Sequence, residues 1–154
     1  MPKTAAGIFL FRRRSSGPEV LLVHLGGPFW ARKDHGAWSI PKGEPAENEE
    51  LLAAARREFR EETGFDPAGS PFGLGQVKQP GGKVVHAWAL EGDFDVTSLK
   101  SNTFTVESPK GSGRFRDYPE VDRAEWFTFQ EARLRLIPAQ VPLLDVLAAA
   151  PQLS

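Results

Sequence analysis

Apolar residues gather in short blocks separated by polar, glycine-rich or proline-rich stretches. Ala5–Phe11 and Val20–Leu25 are rich in Ile, Phe, Val and Leu, and Arg12–Pro18 lies between them. The pattern predicts two strands around a polar turn. Ala37–Ile40 predicts a short strand stopped by Pro41, and Lys83–Glu91 alternates loosely as a further strand. Asp93–Val96 and Thr103–Val106 read as strand pieces with a turn between them, and Glu125–Phe129 as another strand. Gln130–Leu136 and Ala139–Ala149 read as helices interrupted by Pro138. The clearest helix is Glu47–Thr63, which lacks Gly and Pro and is dense in Leu, Ala, Glu and Arg. Asn48 is its expected N-cap, Glu49 and Glu50 suit its first turn, and Gly64 its left-handed end. Gly26–Gly36, carrying Phe29, Trp30, Arg32 and Lys33, reads as a long loop. A chain of 154 residues with this alternation is expected to form one mixed α/β domain over residues 1–154.

Composition narrows the class. The chain is 40% hydrophobic and 25% charged, as in soluble globular proteins. Nineteen Lys and Arg against twenty Asp and Glu give a net charge of −1. That balance disfavours a protein that coats nucleic acid or an anionic membrane. The absence of cysteine excludes disulfides, thiolate zinc sites and a cysteine nucleophile, and is compatible with a reducing cytosol. No segment approaches the roughly 18 apolar residues of a membrane span. Ala5–Phe11 is too short for a signal-peptide core and ends in Arg12, Arg13 and Arg14. A cytoplasmic protein, monomeric or homodimeric, without nucleic-acid or membrane partners is expected.

Gly43–Phe65 breaks the electrical blankness. Its seven Glu and three Arg leave a formal charge of −4 within 23 residues. On a helix, Leu51, Leu52, Ala55 and Phe59 share an apolar sector, and Glu58 and Glu62 continue it at the C-terminal half. Carboxylates facing an apolar surrounding are costly unless compensated. A hard divalent cation would compensate them, because Mg²⁺ prefers oxygen ligands. Glu61 reaches the rim of the same site. A salt-bridged surface helix is the alternative reading of this spacing alone.

The full pattern decides between them. Gly43, Glu49, Arg57, Glu58, Glu61, Glu62 and Gly64, with bulky apolar Phe59 and Phe65, resemble the signature box of the Nudix hydrolases at every defined position. A chance match is on the order of one in 10⁹ per starting point at average residue frequencies. The resemblance implies the Nudix fold, an α/β/α sandwich around a mixed β-sheet. It also implies Mg²⁺- or Mn²⁺-dependent hydrolysis of a nucleoside diphosphate linked to another moiety. Glu58, Glu61 and Glu62 match the metal-binding carboxylates, with the Gly43 carbonyl as a further ligand. Arg57 matches the arginine that orients them, and Glu49 the peripheral, supporting acid. Glu58 is the first candidate for general base, with Glu61 and Glu120 as alternatives. Glu120, six residues before Trp126, is similar to an extra acid in diadenosine tetraphosphate hydrolases; the alternative is an ordinary exposed acid beside Pro119.

Trp38-Ser39-Ile40-Pro41-Lys42-Gly43 is similar to the segment before the box in diadenosine tetraphosphate and diphosphoinositol polyphosphate hydrolases. Lys42 is therefore a candidate phosphate ligand, the alternative being a solvent lysine in a Pro-Gly turn; Arg32, Lys33 and Lys83 are further candidates, the alternative being solvated surface. The tyrosine that stacks on adenine in the first group falls on Ala87, so Trp88 or the loop residues Phe29 and Trp30 are candidate stacking residues, and Trp38 of the segment before the box is a further candidate substrate contact; the alternative is that these aromatics are core. Gly26–Gly36 is the expected specificity loop. A small nucleotide polyphosphate is the expected substrate. A non-catalytic nucleotide-binding domain, a diphosphoinositol hydrolase and an RNA 5′-end hydrolase are the alternatives.

Overall fold

In a computed structural model, which describes residues 3–153, the apolar blocks form the centre of a mixed sheet. Strand β1 (Thr4–Arg14) and β2 (Gly17–Leu25) pair antiparallel around Ser15-Ser16. β1 also runs parallel to β6 (Val84–Glu91), which pairs antiparallel with β5 (Phe72–Lys78). Two short pieces, β3 (Trp38–Ser39) and β4 (Lys42–Gly43), add to β2 and β1. β9 (Val121–Thr128) flanks β2. A separate hairpin, β7 (Thr103–Glu107) and β8 (Phe115–Pro119), stands off this sheet.

Strand alternation explains why β1 and β2 are apolar on both faces. Ala5, Phe9, Phe11, Val20 and Leu22 point to one side, where α2 (Phe129–Arg135) and α3 (Val141–Ala148) cover them. Ala6, Ile8, Leu10, Leu21 and Val23 point to the other, where α1 (Leu51–Thr63) lays down Ala54, Ala55 and Phe59. Each fully buried Leu or Phe contributes about 1.5–3 kcal/mol. The result is the expected α/β/α sandwich around a mixed sheet. No helix among the described residues is long and apolar enough to cross a membrane.

Several boundaries differ from the sequence reading. The helix begins at Leu51, and Asn48 is not its N-cap; Asn48 takes a left-handed φ of 63° in the preceding turn. Gly64 does close the helix, at φ 79°, with its N–H on the Arg60 carbonyl. Leu52 stays half-buried outside both core clusters, while Ala54 and Thr63 are buried instead. Asp93–Val96 is not a strand; Asp95 caps a 3₁₀ turn over Val96–Ser98. β5 escaped the pattern because Gly73 and Gly75 flank a bulge that breaks its alternation. β8 escaped because its exposed hairpin has no core face to impose alternation.

The sheet brings β1 hard against the segment that precedes the helix. Gly7 pairs with Lys42, and a side chain at Gly7 would come within 2.7 Å of the Pro41 carbonyl oxygen and Lys42 Cβ. Gly7→Ala is therefore expected to destabilise the fold by about 1–3 kcal/mol through overpacking. A urea-denaturation midpoint equal to that of the wild type would show that the contact yields freely.

Candidate active site

One arginine organises the acidic stretch. Arg57 grips Glu49 with two nitrogens, its Nε donating to Oε2 and its Nη2 to Oε1, each at 3.0 Å. Nη2 also donates to the Glu44 carbonyl, at 3.1 Å. Nη1 donates to Glu58 at 2.9 Å and to Glu61 at 3.0 Å. Only a guanidinium offers donors in such a fan. These partners raise the Arg57 pKa further, led by the bonds to Glu49. The bond from Arg57, with a backbone bond from Ala46, holds the Glu49 carboxyl below its usual range.

The helix presses its acidic face onto the start of the box. A Cβ at Gly43 would lie 2.0 Å from Glu58 Cδ, so only glycine leaves room for that carboxylate. Burial raises the Glu58 pKa against the opposing pull of Arg57. Glu62 sits deeper. Burial pushes its carboxyl up to about 8, opposed by Lys42 and reinforced by the nearby charges of Glu58 and Glu120. The Lys42 backbone N–H donates to Glu62 Oε1 at 3.4 Å. Burial lowers the Lys42 ammonium pKa, and the neighbouring Lys83 lowers it further.

These groups line one cleft of about 610 Å³. It gathers Gly43, Glu58, Glu61, Glu62 and Glu120 with Lys42 and Lys83. Glu120 arrives from far along the chain through backbone bonds. Its N–H donates to the Asn102 carbonyl, and the Asn102 N–H donates to the Glu61 carbonyl at the end of the helix. Gln140, wholly buried, fixes the floor by accepting from the Ile40 N–H and donating to Ser39 Oγ. Lys3, Leu25, Ser39, Ile40, Glu44 and Asn102 also line the cleft. Nothing in their local sequence marks Lys3 or Asn102, which are placed by backbone bonds, Lys3 to Val84 and Asn102 to Glu61 and Glu120.

Several predicted substrate contacts are not brought to the cleft. Trp38 is fully buried and its indole N–H donates to Asp34. Trp88 packs against the core beneath the box helix. Phe29 is exposed, with the Lys33 ammonium 3.6 Å from its ring centre. Arg32 is exposed and does not line the cleft. The part of the loop beyond Phe29 is held by residues outside the cleft lining. His24 Nε2 donates to the Lys33 carbonyl, and Asp34 receives both Trp38 and Arg135. Of the loop and its approach, Leu25 is what reaches the cleft wall.

Comparison with known proteins agrees with this architecture. The description NUDIX domain matches residues 1–147. The chain belongs to the NUDIX domain family. No curated protein sequence matches it. Among solved structures, an Ap4A hydrolase of C. elegans in a binary complex superposes with a TM-score of 0.66 at 21% identity, covering 96% of each chain. The NUDIX domain of Shewanella oneidensis NrtR, complexed with ADP ribose, gives 0.67 at 16% identity over 96% of this chain and 87% of that one. A mutT/nudix family protein of Listeria innocua gives 0.66 at 18% identity, covering 99% and 96%. At such identities the likeness establishes the Nudix fold.

The donors of this Nudix cleft fit a hard divalent cation in kind. Its acidic side supplies carboxylate oxygens, and half-buried Glu62 feels the charges of Glu58 and Glu120 as well as that of Lys42. Among the described residues no three acidic or imidazole side chains converge as a ready-made cage. Arg57 instead draws Glu58 and Glu61 to itself. The raised Glu62 pKa has a consequence for the metal-free protein. The unfolded carboxyl ionises near 4.5 and the folded one near 8, so the folded state holds the extra proton between them. Stability should fall as pH rises from about 4.5 to 8. Glu62→Gln should flatten that slope and gain about 1–3 kcal/mol at pH 8. Urea midpoints across this range in chelator check it, and parallel curves for the two proteins would sink it.

Proposed function

We propose that the protein is a divalent-metal-dependent Nudix pyrophosphohydrolase acting on a nucleotide polyphosphate, such as a dinucleoside polyphosphate or a nucleoside triphosphate. The observation that carries this reading is that Glu58, Glu61, Glu62 and Glu120 line one cleft together with Lys3, Lys42 and Lys83. Glu58, Glu61, Glu62 and Glu120, with the Gly43 carbonyl, would hold Mg²⁺ or Mn²⁺. When bound, the ion neutralises charge on the phosphate oxygens and lowers the pKa of water.

The chain's own groups do the rest. Lys42 and Lys83 hold the polyphosphate by charge-assisted hydrogen bonds at its oxygens. Arg57 fixes the positions of Glu58 and Glu61, which both line the cleft, through its bonds to them. Glu58, whose burial favours the protonated form, takes the proton of the attacking water. The water oxygen bonds to the attacked phosphorus and stays on it as the bridging P–O bond breaks, and the departing phosphate carries away the bridging oxygen with the electron pair of that bond.

Turnover measured by phosphate release in Mg²⁺, with labelled water locating the attacked phosphorus, tests the reading. A panel of nucleoside triphosphates, dinucleoside polyphosphates, nucleotide sugars and diphosphoinositols identifies the substrate. Glu58→Gln and Glu62→Gln are each expected to lower kcat by about 10²-fold or more. Wild-type Mg²⁺-dependent turnover in both variants would remove the assignment, and binding of nucleotide without hydrolysis by the wild type would leave a binding domain.

A further inference from the structure

Half-buried aromatic side chains ordinarily pack against a core. Among the described residues all of them do so but two, Phe104 and Tyr118, which belong to neither core cluster. They face each other across the β7–β8 hairpin, with ring centres 6.2 Å apart and planes at 40°. The hairpin is hydrogen-bonded to no strand of the main sheet, and the two rings lie outside both core clusters.

Its position relative to the cleft gives the rung a use. The hairpin is rooted in two cleft residues, Asn102 and Glu120, joined by the bond from the Glu120 N–H to the Asn102 carbonyl. Phe104 lies two residues beyond Asn102, and Tyr118 two residues before Glu120. At about 3.4 Å per residue the aromatic rung stands about 7 Å out from the cleft. The tip of the Phe104 ring rests on Gly27, two residues from Leu25 of the cleft wall. A side chain at Gly27 would meet that ring at 2.9 Å, and its φ of 95° suits glycine. The pair therefore lies just outside the cleft's lining, two residues along each strand from Asn102 and Glu120, on the flank where Gly27 of the loop meets the hairpin.

We propose that Phe104 and Tyr118 form the nucleobase subsite of this cleft, stacking the heteroaromatic base of a nucleotide whose phosphates lie over the carboxylates and lysines. The proposal rests on the nucleotide reading above. Stacking tolerates any base, because each presents a flat π-face.

Tyr118 is the chain's sole tyrosine, so protein labelled at tyrosine carries one set of ring resonances. In Mg²⁺, α,β-methylene-ATP should shift them by ring current, and inorganic tripolyphosphate should not. Tyr118→Leu should weaken binding of α,β-methylene-ATP by about 5- to 150-fold and leave tripolyphosphate within about twofold. Tyr118→Phe should retain wild-type affinity for both. A tyrosine signal unmoved at saturating α,β-methylene-ATP would overturn the subsite, as would equal weakening of both ligands by Tyr118→Leu. The resonance measurement on wild-type protein decides the matter even if that variant fails to fold. Wild-type protein that binds α,β-methylene-ATP no tighter than tripolyphosphate would overturn the nucleotide reading and the subsite with it. A nucleotide preference indifferent to Tyr118 would overturn the subsite alone.

Discussion

The site depends on the Arg57 guanidinium. Glu44, Glu49, Glu58 and Glu61 converge on it, the first two from the segment before the helix and the last two from the helix itself. A partly exposed ion pair usually contributes little to stability, because water serves both charges nearly as well. The consequence of this one is geometric. Residues 44–50 form no helix or strand, and the grip on Glu49 and Glu44 fixes them against the helix wall. The remaining nitrogen holds two carboxylates that would otherwise repel each other. A lysine at this position would keep the charge and lose the fan of directions.

Close packing supplies the second constraint. Gly7 lets β1 touch the Pro41–Lys42 backbone, and Gly43 lets the helix touch that same segment from the other side. With the segment clamped between strand and helix, Glu62 loses solvent and its proton affinity rises. That arrangement works against stability in the metal-free protein. Local conflict of this kind, in an otherwise well-satisfied fold, is what functional sites display.

The parts of the fold legible in the sequence were those with strong local signals. The apolar runs of β1 and β2 and the glycine-free helix each carry a period or composition that tertiary structure did not override. What was misread had a weak or misleading local signal. Asn48 resembled a helix cap, yet it adopts a left-handed turn whose direction lets Glu49 meet Arg57. Trp38 and Trp88 looked like available ring surface, and only packing shows that both belong beneath the sheet's covering layers. Glu58, Glu61 and Glu62 could be grouped because they share one helix. Glu120 required a long-range placement through Asn102, for which no periodicity exists. Spacing to Trp126 was the one signal available for it.

The nearly neutral composition takes on a different meaning once charges are placed. A purely acidic cleft would repel a polyphosphate, and a purely basic one would offer a divalent cation no anionic donors. Here both signs line one cleft, on different supports. Glu58, Glu61 and Glu62 come from the helix, and the lysines come from strand ends. Lys3 and Lys83 lie far apart in sequence. They meet because β1 and β6 are parallel, with Thr4 opposite Val84, and parallel strands begin at the same edge of a sheet. An antiparallel pairing would have carried one of these lysines to the opposite edge. The direction of one strand pair thus decides that the positive side of the cleft exists.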